Sequence, residues 1–433
     1  MLHFFRINAQ LEDLMAIDHT VTDARDEALA SHPAAWRRWL VAAVLLLVVI
    51  VGFFDRISIA VLFTNKDFND VTGANFDPAA LGLLMTAFLL AYGLSGVFLS
   101  WVGDLYGPSR SLAIGAGLWG IFMGLIGAAS SYTMMLFYRV LLGLSEGPQF
   151  GLVNKVVKRW FPKREQGRAN SIWMVGSPLG SAIGFPLTIM LVAAYGWRFS
   201  FYALAILNII IIVPLVLALV RDWPRHVAPS ERAEEMRAGN LRGDISLFLS
   251  DWRFWMILLF NSACLIYLWG LNAWLPTYLQ KVRGFDLKSL GVFASLPFIL
   301  MFFGEILGGY ISDRIGRRAI VCFVGLFMAG ALIYVVSLTA NPYAAAIVMA
   351  LSAGFWGSAL PPLFAMAAQI IPSQATASGV GVYNGVGNLI GACSPLLMGW
   401  IIGAAGNFNA GLMVLVFAGV VGSCAMLPLI RRY

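Results

Sequence analysis

Twelve stretches of this chain, each at least 20 residues long, run almost free of charged side chains. A helix needs about 20 apolar residues to cross the hydrocarbon of a bilayer. Every backbone N–H and C=O must be satisfied internally there, so helices are the natural form. A β-barrel would instead show alternating segments of about ten residues, and the sequence has no such pattern. The spans are read at 39–62, 79–103, 110–130, 132–156, 169–194 and 198–220, then at 252–279, 288–311, 318–338, 342–370, 374–402 and 407–430. Composition agrees, with 60% hydrophobic and 12% charged residues, about half the charged share of a soluble domain. The expected fold class is an all-α membrane protein.

The longest charged stretch between spans, 221–251, divides the chain into 39–220 and 252–433, six spans each, after a tail at 1–38. That tail is charged and lacks an apolar core with a cleavage site, so no signal peptide is expected. Cys264, Cys322, Cys393 and Cys424 lie in apolar runs without metal-ligand spacing and read as small buried hydrophobes, so no metal site is expected. The net charge of +7 resides mostly in loops. Lysines and arginines gather before the first span, after the fourth and eighth, and at the C-terminus, which predicts both termini in the cytoplasm. A basic balance of this origin points to membrane orientation and not to nucleic acid.

One loop motif occurs twice. Gly309, Asp313, Arg314, Gly316, Arg317 and Arg318 follow the eighth span, and a degraded copy with Asp104, Gly107 and Arg110 follows the second. An aspartate at a helix end, a turn glycine and a basic cluster can pair charges between neighbouring helices. This doubled motif in a six-plus-six chain resembles the major facilitator superfamily. The resemblance implies twelve transmembrane helices in two six-helix bundles. It also implies a substrate site near mid-membrane and access that alternates as the halves rock.

Charges at bilayer depth cost about 2.5–3.5 kcal/mol or more each, so they are candidates for function. Five lie well inside the spans: Asp55 and Arg56 in the first, Arg139 and Glu146 in the fourth, and Glu305 in the eighth. No histidine lies in a span, which leaves carboxylates as the natural proton carriers. Arg139 and Glu146 are seven apart and share a helix face, with Gly143 between them. Asp55 and Arg56 point about 100° apart. Two arginines and two carboxylates form a balanced set, and protonating one carboxylate leaves a positive site suited to an anion. The competing reading is a structural lock between the first and fourth spans, and Glu305 is open to the same alternative.

Asp55-Arg56 followed by Ile-Ser-Ile-Ala-Val, together with Tyr138-Arg139 through Glu146-Gly147, resembles the anion:cation symporter branch. That branch includes bacterial sugar-acid/proton symporters and vesicular glutamate transporters. The resemblance assigns substrate and proton roles to Asp55, Arg56, Arg139 and Glu146, and a site tyrosine to Tyr92. It also places substrate-binding asparagines at Asn384 and Asn388. Ser177 stands where galactonate-type members carry glutamine, which argues against galactonate itself. Trp173, Trp269, Asn272 and Trp356 are further cavity candidates, with core packing the alternative for each tryptophan.

The resulting expectation is a transporter that imports a small organic carboxylate, first a sugar acid, with the proton as coupling ion and no cofactor. Alternatives are an exchanger or exporter, an aromatic or dicarboxylic acid as substrate, and a membrane receptor that does not transport. An enzyme is not expected, because no nucleophile–base pair or phosphate loop is present in the sequence. The expected setting is a bacterial inner membrane, with the protein functional as a monomer.

Overall fold

The computed structural model describes residues 36–99, 106–224, 246–371 and 376–433. Among these the structure is helical, with no strand. Eleven helices are long and apolar enough to cross a membrane. They are Trp36–Thr64, Pro78–Phe98, Pro108–Ala128, Arg164–Tyr195 and Trp197–Leu219, then Trp252–Val282, Leu287–Ile315, Arg318–Leu338, Pro342–Ile370, Val382–Ala405 and Phe408–Leu429. The fourth span makes the twelfth, and it departs from the unbroken helix expected at 132–156. It consists of Tyr132–Glu146 and Gln149–Trp160, interrupted at Gly147-Pro148. Pro148 has no N–H to continue the ladder. Gly147 lets the break sit against the second span, where an added Cβ would meet the Tyr92 carbonyl at 2.4 Å. The eleventh span is likewise interrupted, between Thr376–Gly391 and Ser394–Ala405.

The two six-helix bundles meet through close backbone approaches. In the second and eleventh spans, a Cβ at Gly82 would lie 2.4 Å from the Pro395 carbonyl, and one at Gly399 would lie 2.2 Å from that of Pro78. Thr86 Oγ1 donates to the Ala392 carbonyl at 2.7 Å and accepts from Leu396 N at 3.1 Å. Phe63 packs on Trp274 at 5.4 Å, Phe185 on Phe298 at 5.4 Å, and Thr64 hydrogen-bonds Gln280. Most of these contacts lie at the end opposite the basic loops. The second and eleventh spans stay in contact toward the other end, at Gly93 with Leu389 and Gly385 with Val97.

A side chain at Gly399 cannot fit without separating that end. Gly399→Val is expected to leave the fold intact and open the Pro78–Gly399 seam. Thr64→Cys in that background should react about tenfold faster with an impermeant maleimide, given the usual cost of overpacking.

The loop motif takes two forms. Gly316 ends the eighth span at φ 69°, a left-handed position that favours glycine. Asp313, Arg314 and Arg317 are exposed, and Asp313 forms no ion pair with a described residue. Arg314 instead donates to the Tyr310 hydroxyl at 3.3 Å, while Arg318 opens the ninth span. In the first copy Asp104 lies outside the described residues, and Arg110 is exposed. Gly107 has φ 85°, and Ser109 N, at the start of the third span, donates to Asp222 Oδ1 at 2.7 Å. The tail up to residue 35 and the linker residues 225–245 also lie outside. Of the cysteines read as buried, Cys393 and Cys424 are exposed on the bundle surface, while Cys264 and Cys322 are buried.

Candidate functional site

Asp55, Arg56, Arg139 and Glu146 are brought together in the first bundle, each fully buried. The break in the fourth span shapes the centre. Glu146 ends one helix and Gln149 begins the next, and both reach Arg56 across from the first span. Arg56 Nε donates to Glu146 Oε2 at 2.8 Å, and Nη2 donates to Gln149 Oε1 at 2.5 Å. Gln149 Nε2 in turn donates to the Val48 carbonyl at 3.0 Å, and Gly52 leaves the room for it. The guanidinium is boxed by aromatic rings, with Cζ 4.6 Å from the Tyr92 centroid, 4.7 Å from Phe53 and 5.2 Å from Phe150. Such cation–π contacts matter most where water is excluded. Arg56 Nη1 and Glu146 Oε1 have no hydrogen-bond partner among the described residues.

Arg139 behaves differently. It donates to the carbonyls of Leu84 at 3.3 Å, Asp55 at 3.4 Å and Arg56 at 3.5 Å, and its Cζ lies 4.4 Å from the Phe88 centroid. It therefore clamps the backbone of the first and second spans and makes no hydrogen bond to either carboxylate. Gly143, on the same face, receives the second span, since a Cβ there would meet the Phe88 carbonyl at 2.3 Å. Asp55 turns the other way, toward the sixth span, where Oδ2 accepts from Asn208 Nδ2 at 2.8 Å. The four charges sum to zero, which makes their joint burial tolerable. One cross-span ion pair carries the contact between arginine and carboxylate, and not two.

The other candidates extend from the Arg56 box. Phe53 stacks on Trp269 of the second bundle at 6.4 Å, and Trp269 Nε1 donates to Asn388 Oδ1 at 3.2 Å. Asn388 is tied to the Asn384 carbonyl at 2.9 Å. On the other side Phe150 packs on Trp173 at 5.4 Å, and Trp173 is held by Asn170 at 2.8 Å. Ser177, one turn on, is half-exposed, as are Asn384 and Asn388. Asn272 is fully buried and accepts from Ser181 at 3.5 Å across the seam. Trp356 packs inside the second bundle, donating to the Cys264 carbonyl at 2.9 Å and stacking on Tyr267. Its contacts are those of core packing.

Glu305 lies apart from the cluster. It falls seven residues after Phe298 and fourteen after Gly291, both of which meet the fifth span, so it shares their face. It is largely buried and has no hydrogen bond or ion pair with a described residue. Two polar residues escaped the reading of charges, Gln149 and Asn208. An amide in an apolar run carries the same signal as a charge in weaker form, since it must find a partner to be buried.

The chain matches the Major Facilitator Superfamily over residues 44–395. It belongs to that superfamily. This facilitator is accordingly an integral membrane transporter and not an enzyme. It is 29% identical over 416 residues to a probable sulfoacetate transporter of Cupriavidus necator, covering 91% of this chain and 94% of that one. A hexuronate transporter of Bacillus subtilis is 26% identical over 88% of this chain and 92% of its own length. A probable L-galactonate transporter of Escherichia coli is 25% identical over 88% and 87%. Among solved structures, an inward-facing bacterial homologue of the lysosomal transporter Spinster superposes with a TM-score of 0.72 at 21% identity, over 93% of this chain and 95% of that one. A D-xylose–proton symporter superposes at 0.69 with 16% identity, over 89% and 96%. These two likenesses concern the fold alone.

Proposed function

We propose that this facilitator imports a small organic anion, a sugar acid, together with a proton across a bacterial inner membrane, with both termini in the cytoplasm. The observation that carries the reading is the Arg56 guanidinium, buried in an aromatic box, bonded at 2.8 Å to Glu146, with Nη1 unpartnered among the described residues. Arginine offers a planar fork suited to a carboxylate. A substrate carboxylate approaching Nη1 competes with Glu146 for the same cation, and the displaced Glu146 takes up a proton to remain buried. Asp55 supplies a second proton site, with Glu305 a further candidate. Tyr92, Trp173 and Trp269 form faces on which a sugar ring can lie, while Ser177, Asn384 and Asn388 offer hydrogen bonds to hydroxyls. Arg139 holds the first span in register. The names of the relatives support organic acids as the class, hexuronate and L-galactonate among them.

The test is uptake of radiolabelled hexuronates, galactarate and sulfoacetate into proteoliposomes with an imposed acid-outside gradient. Accumulation of a sugar acid several-fold above equilibrium, abolished by a protonophore, is the expected result. Accumulation of sulfoacetate alone would keep the mechanism and change the substrate. Binding without accumulation of any anion would overturn the proposal.

A further inference from the structure

The sixth span contributes a polar group to the charged cluster that touches Asp55 and makes no hydrogen bond to the Arg56–Glu146 pair. Leu207–Ile212 form a π-helical turn in which Val213 N bonds to the Asn208 carbonyl, five residues back, immediately before Pro214. Proline has no N–H to give, and single π turns inside helices occur frequently at functional sites. Ile209, Ile210 and Ile211 are exposed on the outer surface of the bundle, whereas Asn208 is fully buried and turned toward the first span. Its Nδ2 donates to Asp55 Oδ2 at 2.8 Å and to the Leu204 carbonyl at 3.1 Å. Both neighbours of that nitrogen are acceptors, which fixes the amide with its donors toward Asp55.

We propose that Asn208 is a positioning residue for the proton site: the π turn of the sixth span aims its amide at Asp55, and the hydrogen bond it gives favours the ionised form of that carboxylate over the protonated one. The inference rests on the reading of Asp55 as a proton carrier. The charged groups that face Asp55 are Arg56 on its own span and Arg139 and Glu146 on the fourth. Arg139 donates to the backbone carbonyl of Asp55 and not to its carboxylate. Asn208 is the side chain that hydrogen-bonds the carboxylate, and Asp55 Oδ1 has no partner among the described residues. A hydrogen bond given to a carboxylate favours the ionised form. The amide thus sets the proton concentration at which Asp55 loads, and it does so without touching substrate.

Infrared titration of the purified protein reads this directly. The C=O band of protonated Asp55 is assigned by its loss in Asp55→Asn. In Asn208→Leu that band should persist to a pH about one unit more alkaline, the size expected for losing a charge-assisted hydrogen bond. Asn208→Ser, a milder change that offers a hydroxyl donor in place of the amide, should shift it less and serves if the leucine variant does not fold. The exchange Asp55→Asn/Asn208→Asp keeps an amide–carboxylate bond across the same gap. It should take up anion at least tenfold faster than Asp55→Asn alone. An unshifted band in a folded Asn208 variant, or an exchange variant no better than Asp55→Asn, would overturn the assignment. The band titrates whether or not an anion is transported, so a failure of the transport reading is seen separately, in the uptake assay of the wild-type protein.

Discussion

Arg56→Lys should abolish measurable uptake and weaken anion binding by about 100-fold or more. Lysine keeps the charge but not the fork. Arg56 uses Nε for Glu146 and Nη2 for Gln149, has Nη1 unpartnered among the described residues, and presents a flat face to Phe53, Tyr92 and Phe150. A compact ammonium cannot meet two partners in those directions and a ligand in a third. Isothermal titration with a sugar acid and proteoliposome uptake measure the loss. Stability must be separated from binding, because removing one member of a buried ion pair costs about 3–5 kcal/mol in its own right. Arg56→Met/Glu146→Met makes the separation. Replacing both charges by apolar groups of similar size is often neutral, so the thermal midpoint should recover from its fall in Arg56→Met. If the pair is only a lock between spans, binding and uptake recover with it. If Arg56 holds substrate, they stay lost.

Much of this site was legible because a charge in an apolar run stands out at once. Asp55, Arg56, Arg139 and Glu146 all stand out by depth in their spans, and all four meet in the first bundle. Their pairing was not legible. The seven-residue spacing of Arg139 and Glu146 predicts one shared face, which is correct. Which of them meets Arg56 depends on how far each helix is rotated and on the break at Gly147-Pro148. The proline was visible, but a span drawn through it hid the way that Glu146 and Gln149 both come to bear on one guanidinium. Asn208 was missed for a related reason: it carries no charge, and the isoleucines after it read as continuous helix. The π turn that points it inward comes just before Pro214, which has no N–H to give, and no hydrophobic periodicity reports it. Trp356 shows the opposite limit. A tryptophan at mid-span suits a cavity wall and a core equally, and only its contacts with Cys264 and Tyr267 distinguish the two.

Glu146→Gln should leave anion binding intact and remove its dependence on pH. In the wild-type protein, substrate takes the arginine from Glu146 and the freed carboxylate binds a proton. Proton uptake then accompanies binding, so affinity falls as pH rises wherever the free site is deprotonated and the occupied one protonated. One proton per anion gives about tenfold per pH unit by linkage, and hence roughly 100-fold between pH 5.5 and 7.5 if both values lie in that range. Glutamine resembles the protonated acid in shape and charge, and it bonds Arg56 more weakly than a carboxylate does. The variant should therefore bind at pH 7.5 as well as the wild type does at pH 5.5. With no proton to gain or release at this position, the variant should exchange external for internal anion. It should fail to accumulate anion against a gradient even with acid outside. Titrations at both pH values, with counterflow and gradient-driven uptake in the same vesicles, check each part. Preserved accumulation in Glu146→Gln would move the coupling role to Asp55 or Glu305, because those carboxylates remain in the membrane when Glu146 is neutral.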